Sequence, residues 1–301
     1  MPAIRKSLPA TMAAGSLAAM SGLAALTIRL YRHPRETVNN VVRGGMLLAG
    51  AREATCHVDG LPVRYYSVGQ RGDPLVLVHG LGGSAGNWAF MLPYLSREYR
   101  VYALDMPGFG QTPLAPEGAG VRTHVHYLKR FIEIMGWPRI ILAGHSLGGW
   151  ITARYAAENP ERVQRLYLVN SAGLHRDGMR SPFTPDRESA RRYIHGMLEH
   201  RLPVPDFILD AMVHNSRRPA FVGFIKSYDP DDGLDDLLPQ IQAPTTIFWG
   251  ERDRILPASC AGDFLRSIPN ARLIRIPSAG HMPNVTAAGE LARVMLDDAI
   301  Y

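Results

Sequence analysis

Cysteine is nearly absent: Cys56 and Cys260 are the only two in 301 residues, and neither sits in a C-x-x-C or histidine-rich spacing. That excludes a disulfide framework and a structural zinc cluster, and no metal is expected. Acidic residues are scarce at the start of the chain, where Arg5, Lys6, Arg29, Arg32, Arg35 and Arg43 meet only Glu36 in the first 50 positions. Most of the formal net charge of +6 lies in that stretch, and the remainder is close to neutral. A high isoelectric point distributed in this way is no sign of nucleic-acid binding, and no nucleic-acid partner is expected. No internal repeat recurs at a fixed period, which excludes a solenoid. With 46% hydrophobic and 20% charged residues, what remains is a globular chain able to bury a substantial core.

Residues 7–28, SLPATMAAGSLAAMSGLAALTI, carry no charge over 22 positions, long enough as a helix to cross a hydrocarbon core of roughly 30 Å. Alanine, glycine, serine and threonine dominate over leucine, so three readings stand: an anchor helix, a cleaved export signal, or an organelle transit peptide. The expectation is membrane association through this segment, with an exported or organellar location after cleavage as the alternatives. Arg5 and Lys6 at one end oppose Arg29 and Arg32 at the other, so the positive-inside bias sets no orientation. Residues 36–52 mix Val38, Val41, Val42, Met46, Leu47 and Leu48 with polar positions, which suits a short amphipathic helix on the membrane or on the domain.

Beyond residue 53, short β-rich runs alternate with helical stretches. Strands are expected at 62–68, 75–80, 100–105, 140–144, 166–170, 245–250 and 272–277, most of them near-continuous apolar runs. Helices are expected at 87–97, 121–135, 147–158, 258–267 and 286–299. This alternation marks an α/β doubly wound domain with a mostly parallel sheet. Between 171 and 238 the alternation stops. That segment is helical, arginine-rich and proline-punctuated, and carries Met179, Phe183, Tyr193, Met197, Phe207, Met212, Phe221, Phe224 and Tyr228. An insertion of this kind covers the site that a sheet presents, with most of these residues packing on the core and a few lining a pocket. The chain thus divides into 1–52, a core at 53–170 and 239–301, and a helical cap at 171–238.

GHSLG, residues 144–148, fits G-x-S-x-G between an expected strand and an expected helix. The glycines allow a strained turn, so that Ser146 projects its hydroxyl at the carboxyl edge of the sheet, beside the free N–H groups of the helix start. A serine hydroxyl needs a base to attack, and that base needs an acid to orient it. Among 11 histidines, His281 in IPSAGHMP follows the last expected strand and ends at the same sheet edge. His124 and His126 fall on a helix, and His175, His195, His200 and His214 fall in the insertion, where solvated surface is expected. His145 adjoins the serine and is expected to point away from it. The acid is Asp253, which follows the strand at 245–250 and completes the order Ser, Asp, His. NSAG at 170–173, after the preceding strand, offers no carboxylate, which strengthens Asp253; Glu251 is the fallback. Asp105 is read as structural. For the oxyanion hole, HGLGGS at 79–84 supplies the backbone N–H of Leu81, paired with that of Leu147; Gly82 and Gly83 serve there or only as turn residues.

With HGLGG, LDMPGFGQT, GHSLGGW, GERD and SAGHMP in order, residues 60–301 resemble the α/β-hydrolase fold family. The combination with an apolar N-terminal segment is most similar to membrane-anchored monoacylglycerol lipases and carboxylesterases. The resemblance implies an eight-stranded sheet with a helical cap after the sixth strand. It implies an acyl-enzyme mechanism on a small-molecule or lipid ester, without metal or organic cofactor. Relatives that place aspartate at the nucleophile position, dehalogenases and epoxide hydrolases, are excluded by Ser146. Carbon–carbon hydrolases of ring-fission products are the alternative; haloperoxidases, thioesterases and a non-enzymatic member rank below it. Acyl length and oligomeric state are not encoded in these motifs.

Overall fold

A computed structural model of the chain describes residues 32–199, 203–227 and 229–299. The apolar segment at 7–28 lies outside them, as do His200 and Tyr228. Helix α1 (Pro34–Leu48) comes first among the described residues, followed by β1 (Arg52–Val58), β2 (Leu61–Val68) and β3 (Pro74–Val78). A 3₁₀ turn over Ala85–Trp88 and the short α2 (Leu92–Leu95) lead to β4 (Arg100–Leu104). Then come α3 (Val121–Ile134), β5 (Ile140–His145), α4 (Leu147–Glu158) and β6 (Val163–Val169). The segment after β6 holds α5 (Arg187–Leu198), α6 (Asp206–Ser216) and α7 (Pro219–Lys226). The chain returns to the sheet with β7 (Thr245–Gly250), α8 (Ser259–Ser267) and β8 (Ala271–Ile276), and closes with α9 (Pro283–Thr286) and α10 (Ala288–Asp297).

Eight strands among the described residues form one sheet in the order β1-β2-β4-β3-β5-β6-β7-β8. β1, β2 and β4 pair antiparallel, and every pairing from β4 onward through β3 to β8 is parallel. Strand pleating sends alternate residues to opposite faces, and here both faces are covered. In β3, Val76 and Val78 enter the core beneath α3 and α4, while Leu75 and Leu77 enter the one on the opposite face with Trp88, Leu291 and Met295. This is why the central strands read as unbroken apolar runs.

Three sequence expectations are corrected. β1 was not among the expected strands: its burial alternates, with Glu53 on one side and Cys56 and Val58 on the other, and a half-polar edge strand gives no apolar run. The helix expected at 87–97 resolves into the 3₁₀ turn and α2, because Pro93 has no N–H to donate and starts a new turn instead of continuing one. The helix expected at 286–299 is broken at Ala287, whose φ is −133°. The amphipathic helix expected within 36–52 is α1. It packs against the 3₁₀ turn and α6, with Met46 buried and Val41 and Leu48 exposed.

Candidate active site

The carboxyl ends of β3, β5, β6, β7 and β8 share one edge. Between β3 and β5 the strand order reverses, and the loops leaving the two strands part to leave a crevice. Ser146 stands there, between β5 and α4, with φ 53° and ψ −117°. A non-glycine residue in this region is strained and persists only where its surroundings hold it. The hold is visible: the Ser146 N–H donates to Val169 O at 3.0 Å, and Ser146 O accepts the N–H of Ala172 at 3.0 Å. The flanking glycines are required sterically. A Cβ on Gly144 would lie 2.2 Å from Gly148 O, and one on Gly148 would lie 2.1 Å from Val78 O.

Ser146, His281 and Asp253 are brought together. Ser146 Oγ lies 3.0 Å from His281 Nε2, and His281 Nδ1 lies 2.8 Å from Asp253 Oδ2. Since a carboxylate can only accept, the ring proton belongs on Nδ1, leaving the Nε2 lone pair facing the serine hydroxyl. Both side chains are almost fully buried, with relative exposures of 3% and 1% for His281 and Asp253. Burial pushes the Asp253 carboxyl up, but the facing His281 and the N–H groups of Ile255 and Leu256 outweigh it and hold the pKa below its ordinary value. Glu251, the fallback acid, is exposed, so its carboxylate is in solvent and not at the imidazole.

Other partners escaped the sequence reading. Asn170, fully buried after β6 with φ 40°, donates Nδ2–H to Asp253 Oδ2 at 2.6 Å and accepts the Gly250 N–H at 3.1 Å. The position that offered no carboxylate thus holds the carboxylate of the neighbouring strand. His281 is also held by the segment after β6, its N–H donating to Met197 O of α5 at 2.8 Å. His145 turns away from Ser146 and donates Nε2–H to His281 O at 2.8 Å. Asp105 is structural: Oδ1 accepts the Ala85 N–H at 2.7 Å and Oδ2 the Gln111 N–H at 2.9 Å. Burial raises its pKa, with those two N–H groups opposing.

The loop after β3 turns tightly, with the Gly83 N–H donating to Gly80 O at 3.0 Å and Gly82 at φ 71°. Its Leu81 lines the space over Ser146, Leu147 follows Ser146 as the first residue of α4, and neither N–H has an acceptor among the described residues. A cavity of about 320 Å³ opens over Ser146 and His281. Its walls come from α1 (Val38, Asn39, Val42), α5 (Tyr193, Ile194, Met197), α6 (Ile208, Ala211, Met212, Asn215) and, beyond them, Arg218, Phe221 and Met282. Of the apolar insertion residues, Tyr193, Met197, Met212 and Phe221 line it, whereas Met179 and Phe183 are exposed and Phe224 packs on Trp150 and His124. Among the described residues no group of three or more histidine, cysteine or acidic side chains could hold a metal ion, and Cys56 and Cys260 are free and buried.

A parallel-centred sheet with this strand order and a serine on a strained strand-to-helix turn defines a class, and comparison with known proteins agrees. The chain belongs to the α/β-hydrolase fold family, whose model matches residues 73–197. It is similar, at 30% identity over 270 residues, to the dihydrolipoyllysine-residue acetyltransferase component of the acetoin cleaving system of Pseudomonas putida, covering 85% of this chain and 72% of that one. It is 28% identical over 268 residues to a 2-hydroxy-6-oxononadienedioate/2-hydroxy-6-oxononatrienedioate hydrolase of Pseudomonas putida, covering 79% of this chain and 91% of that one. Among solved structures it resembles a bacterial membrane phospholipase A, with a TM-score of 0.79, 29% identity, and 94% and 97% of the two chains covered.

Proposed function

We propose that the protein is a serine hydrolase that cleaves carboxylic esters, lipid-like ones above all, through an acyl-enzyme. The observation that carries this reading is the hydrogen-bonded chain from Asp253 through His281 to Ser146, opening on a cavity with mostly apolar walls. Ser146 Oγ attacks the ester carbonyl while its proton passes to His281 Nε2. The negative oxygen that forms is stabilised by the N–H groups of Leu81 and Leu147. Asp253 keeps the imidazole in the correct tautomer and stabilises its charged form. His281 then gives the proton to the departing alcohol. Water attacks the acyl carbon, loses a proton to His281, and the serine regains it as the acid leaves. None of these steps calls on a metal or organic cofactor. Support for a lipid-like ester comes from the valines of α1, the methionines of the wall and the likeness to a membrane phospholipase A.

A second reading, carbon–carbon hydrolysis of a ring-fission diketone, is favoured by Arg218 in the cavity wall and by the Pseudomonas putida relative. Arg218 would face the carboxylate of such a substrate. Rates on a graded series of p-nitrophenyl acyl esters and on a vinylogous ring-fission diketone separate the two. Faster turnover of the esters is expected, with Ser146→Ala losing both hydrolysis and labelling by a fluorophosphonate. Retained turnover in Ser146→Ala would overturn the nucleophile, and preference for the diketone would overturn the ester.

Membrane association through the N-terminal segment is part of the proposal. Among the described residues no helix is long and apolar enough to cross a membrane, and the segment at 7–28 lies outside them. Retention of full-length protein in membranes after alkaline carbonate is expected; release would argue against a spanning anchor.

A further inference from the structure

The oxyanion-hole donors assigned above differ in how they are held. Leu147 begins a helix of 12 residues, so its N–H is fixed by α4. Leu81 sits in a glycine-rich turn that must be held from outside. Both ends of that turn are tied to the segment after β4: His79 Nε2 accepts the Met106 N–H at 3.0 Å, and the Ala85 N–H donates to Asp105 Oδ1 at 2.7 Å. The middle of the turn is held by the insertion. Asn215, near the end of α6, donates Nδ2–H to Gly82 O at 2.7 Å. The fit is close, since a Cβ on Gly82 would lie 2.8 Å from Asn215 Nδ2 and 3.3 Å from the Phe221 ring. Arg218 Nη1 lies 3.5 Å from Asn215 Oδ1, on the other side of the amide.

From this geometry we infer that Asn215 is a positioning residue for the oxyanion hole: by gripping Gly82 O it holds the Leu81 N–H at the reacting carbonyl. The inference rests on the acyl-transfer reading and gives the insertion a role besides covering the cavity. Helix α6 also supplies Ile208, Ala211 and Met212 to the cavity wall. The same helix that lines the cavity thus also holds the turn that carries one of the two oxyanion donors.

The structure assigns Asn215 no contact with the reacting atoms, so its loss should act on the transition state more than on binding. Asn215→Asp keeps the size of the side chain and sets a carboxylate oxygen against the Gly82 carbonyl, removing the donor. With p-nitrophenyl butyrate, kcat is expected to fall about 10- to 100-fold, short of the 100- to 1000-fold that follows loss of an oxyanion donor itself. KM should stay within about threefold, a smaller change than that in kcat, since the Leu81 N–H gains most as the carbonyl oxygen becomes negative in the transition state. Affinity for a trifluoromethyl ketone, which forms the tetrahedral oxyanion on Ser146, should fall in parallel with kcat/KM. Asn215→Gln, which restores an amide donor, should recover part of the rate and the affinity. Asn215→Ala, read by circular dichroism and the same kinetics, serves if the aspartate variant fails to fold. Wild-type kcat in a folded Asn215→Asp or Asn215→Ala enzyme overturns the inference, as does a loss confined to KM. Activity in Ser146→Ala would overturn the acyl-transfer reading instead, so the two failures are told apart.

Discussion

Replacing Asp253 by asparagine changes one heavy atom, and the structure says what must follow. Oδ2 accepts from Asn170 Nδ2 at 2.6 Å and from His281 Nδ1 at 2.8 Å; Oδ1 accepts the N–H groups of Ile255 at 2.7 Å and Leu256 at 3.0 Å. A carboxylate accepts all four, whereas an amide accepts on one side and donates on the other. If its NH₂ faces Ile255 and Leu256, two backbone donors lose their acceptor, at about 1–3 kcal/mol each. If it faces His281, only the Asn170 donor is opposed, because the imidazole can shift its proton to Nε2 and accept at Nδ1. The second arrangement costs less and is the expected one. It is also the inactive one, since Nε2–H then faces Ser146 and cannot take the serine proton. A fall in kcat of about 10⁴-fold is expected, the size of loss that the wrong tautomer causes in Ser-His-Asp sites. Steady-state hydrolysis of p-nitrophenyl butyrate measures it, with a thermal melt to show that the variant is folded. Glu251→Gln, at an exposed side chain, should be unchanged. Activity within about tenfold of wild type in Asp253→Asn would refute the reasoning, because the carboxylate would then have no control over the imidazole tautomer. A large loss in Glu251→Gln would move the role there.

Two further outcomes follow from buried groups. His79 donates Nδ1–H to Gly80 O and accepts the Met106 N–H at Nε2, 3.0 Å away, while His145 Nδ1 is buried without a partner among the described residues. Both rings are thus built to be neutral, and burial lowers their pKa values from 6.5 to about 4 for His79 and about 3 for His145. A depressed folded-state value means that the unfolded chain takes up protons first. The stability is present above the unfolded value and is lost as pH falls from 6.5 toward the folded values, by about 2 kcal/mol per histidine at pH 5. Urea midpoints at pH 7.5 and pH 5 check this, and equal stability at both would contradict it. Gly148→Ala sets a methyl 2.1 Å from Val78 O, a backbone atom of the central strand that cannot step aside. Overpacking of this kind costs about 1–3 kcal/mol or more, so the melting temperature should fall by several degrees and activity with it. An unchanged melt and rate would show that the turn has slack.

Legibility in the sequence followed locality. Ser146 was readable because an apolar run, two close glycines and a helical pattern stand side by side in one stretch. Asp253 and His281 were readable because each follows a strand of a parallel sheet, and parallel strands end at one edge. Asn170 carries no carboxylate and so shows no role in the sequence, although its place after β6 puts its amide on the neighbouring strand's acid. β1 leaves no apolar run in the sequence because an antiparallel edge strand needs only one buried face.

The sequence by itself determined the fold class, the strained serine turn and the order of the three candidate triad residues, since these depend on runs of a few residues and on strand ends. Only the tertiary structure decided which groups hold them: Asn170 on Asp253, Met197 O on the His281 N–H, Asn215 on the Gly82 turn, and α1 in the cavity wall. Each of these joins positions far apart in the chain. A hydrogen bond of that kind leaves no periodicity in either segment, because it depends on where the two backbones meet and not on what surrounds either residue in sequence.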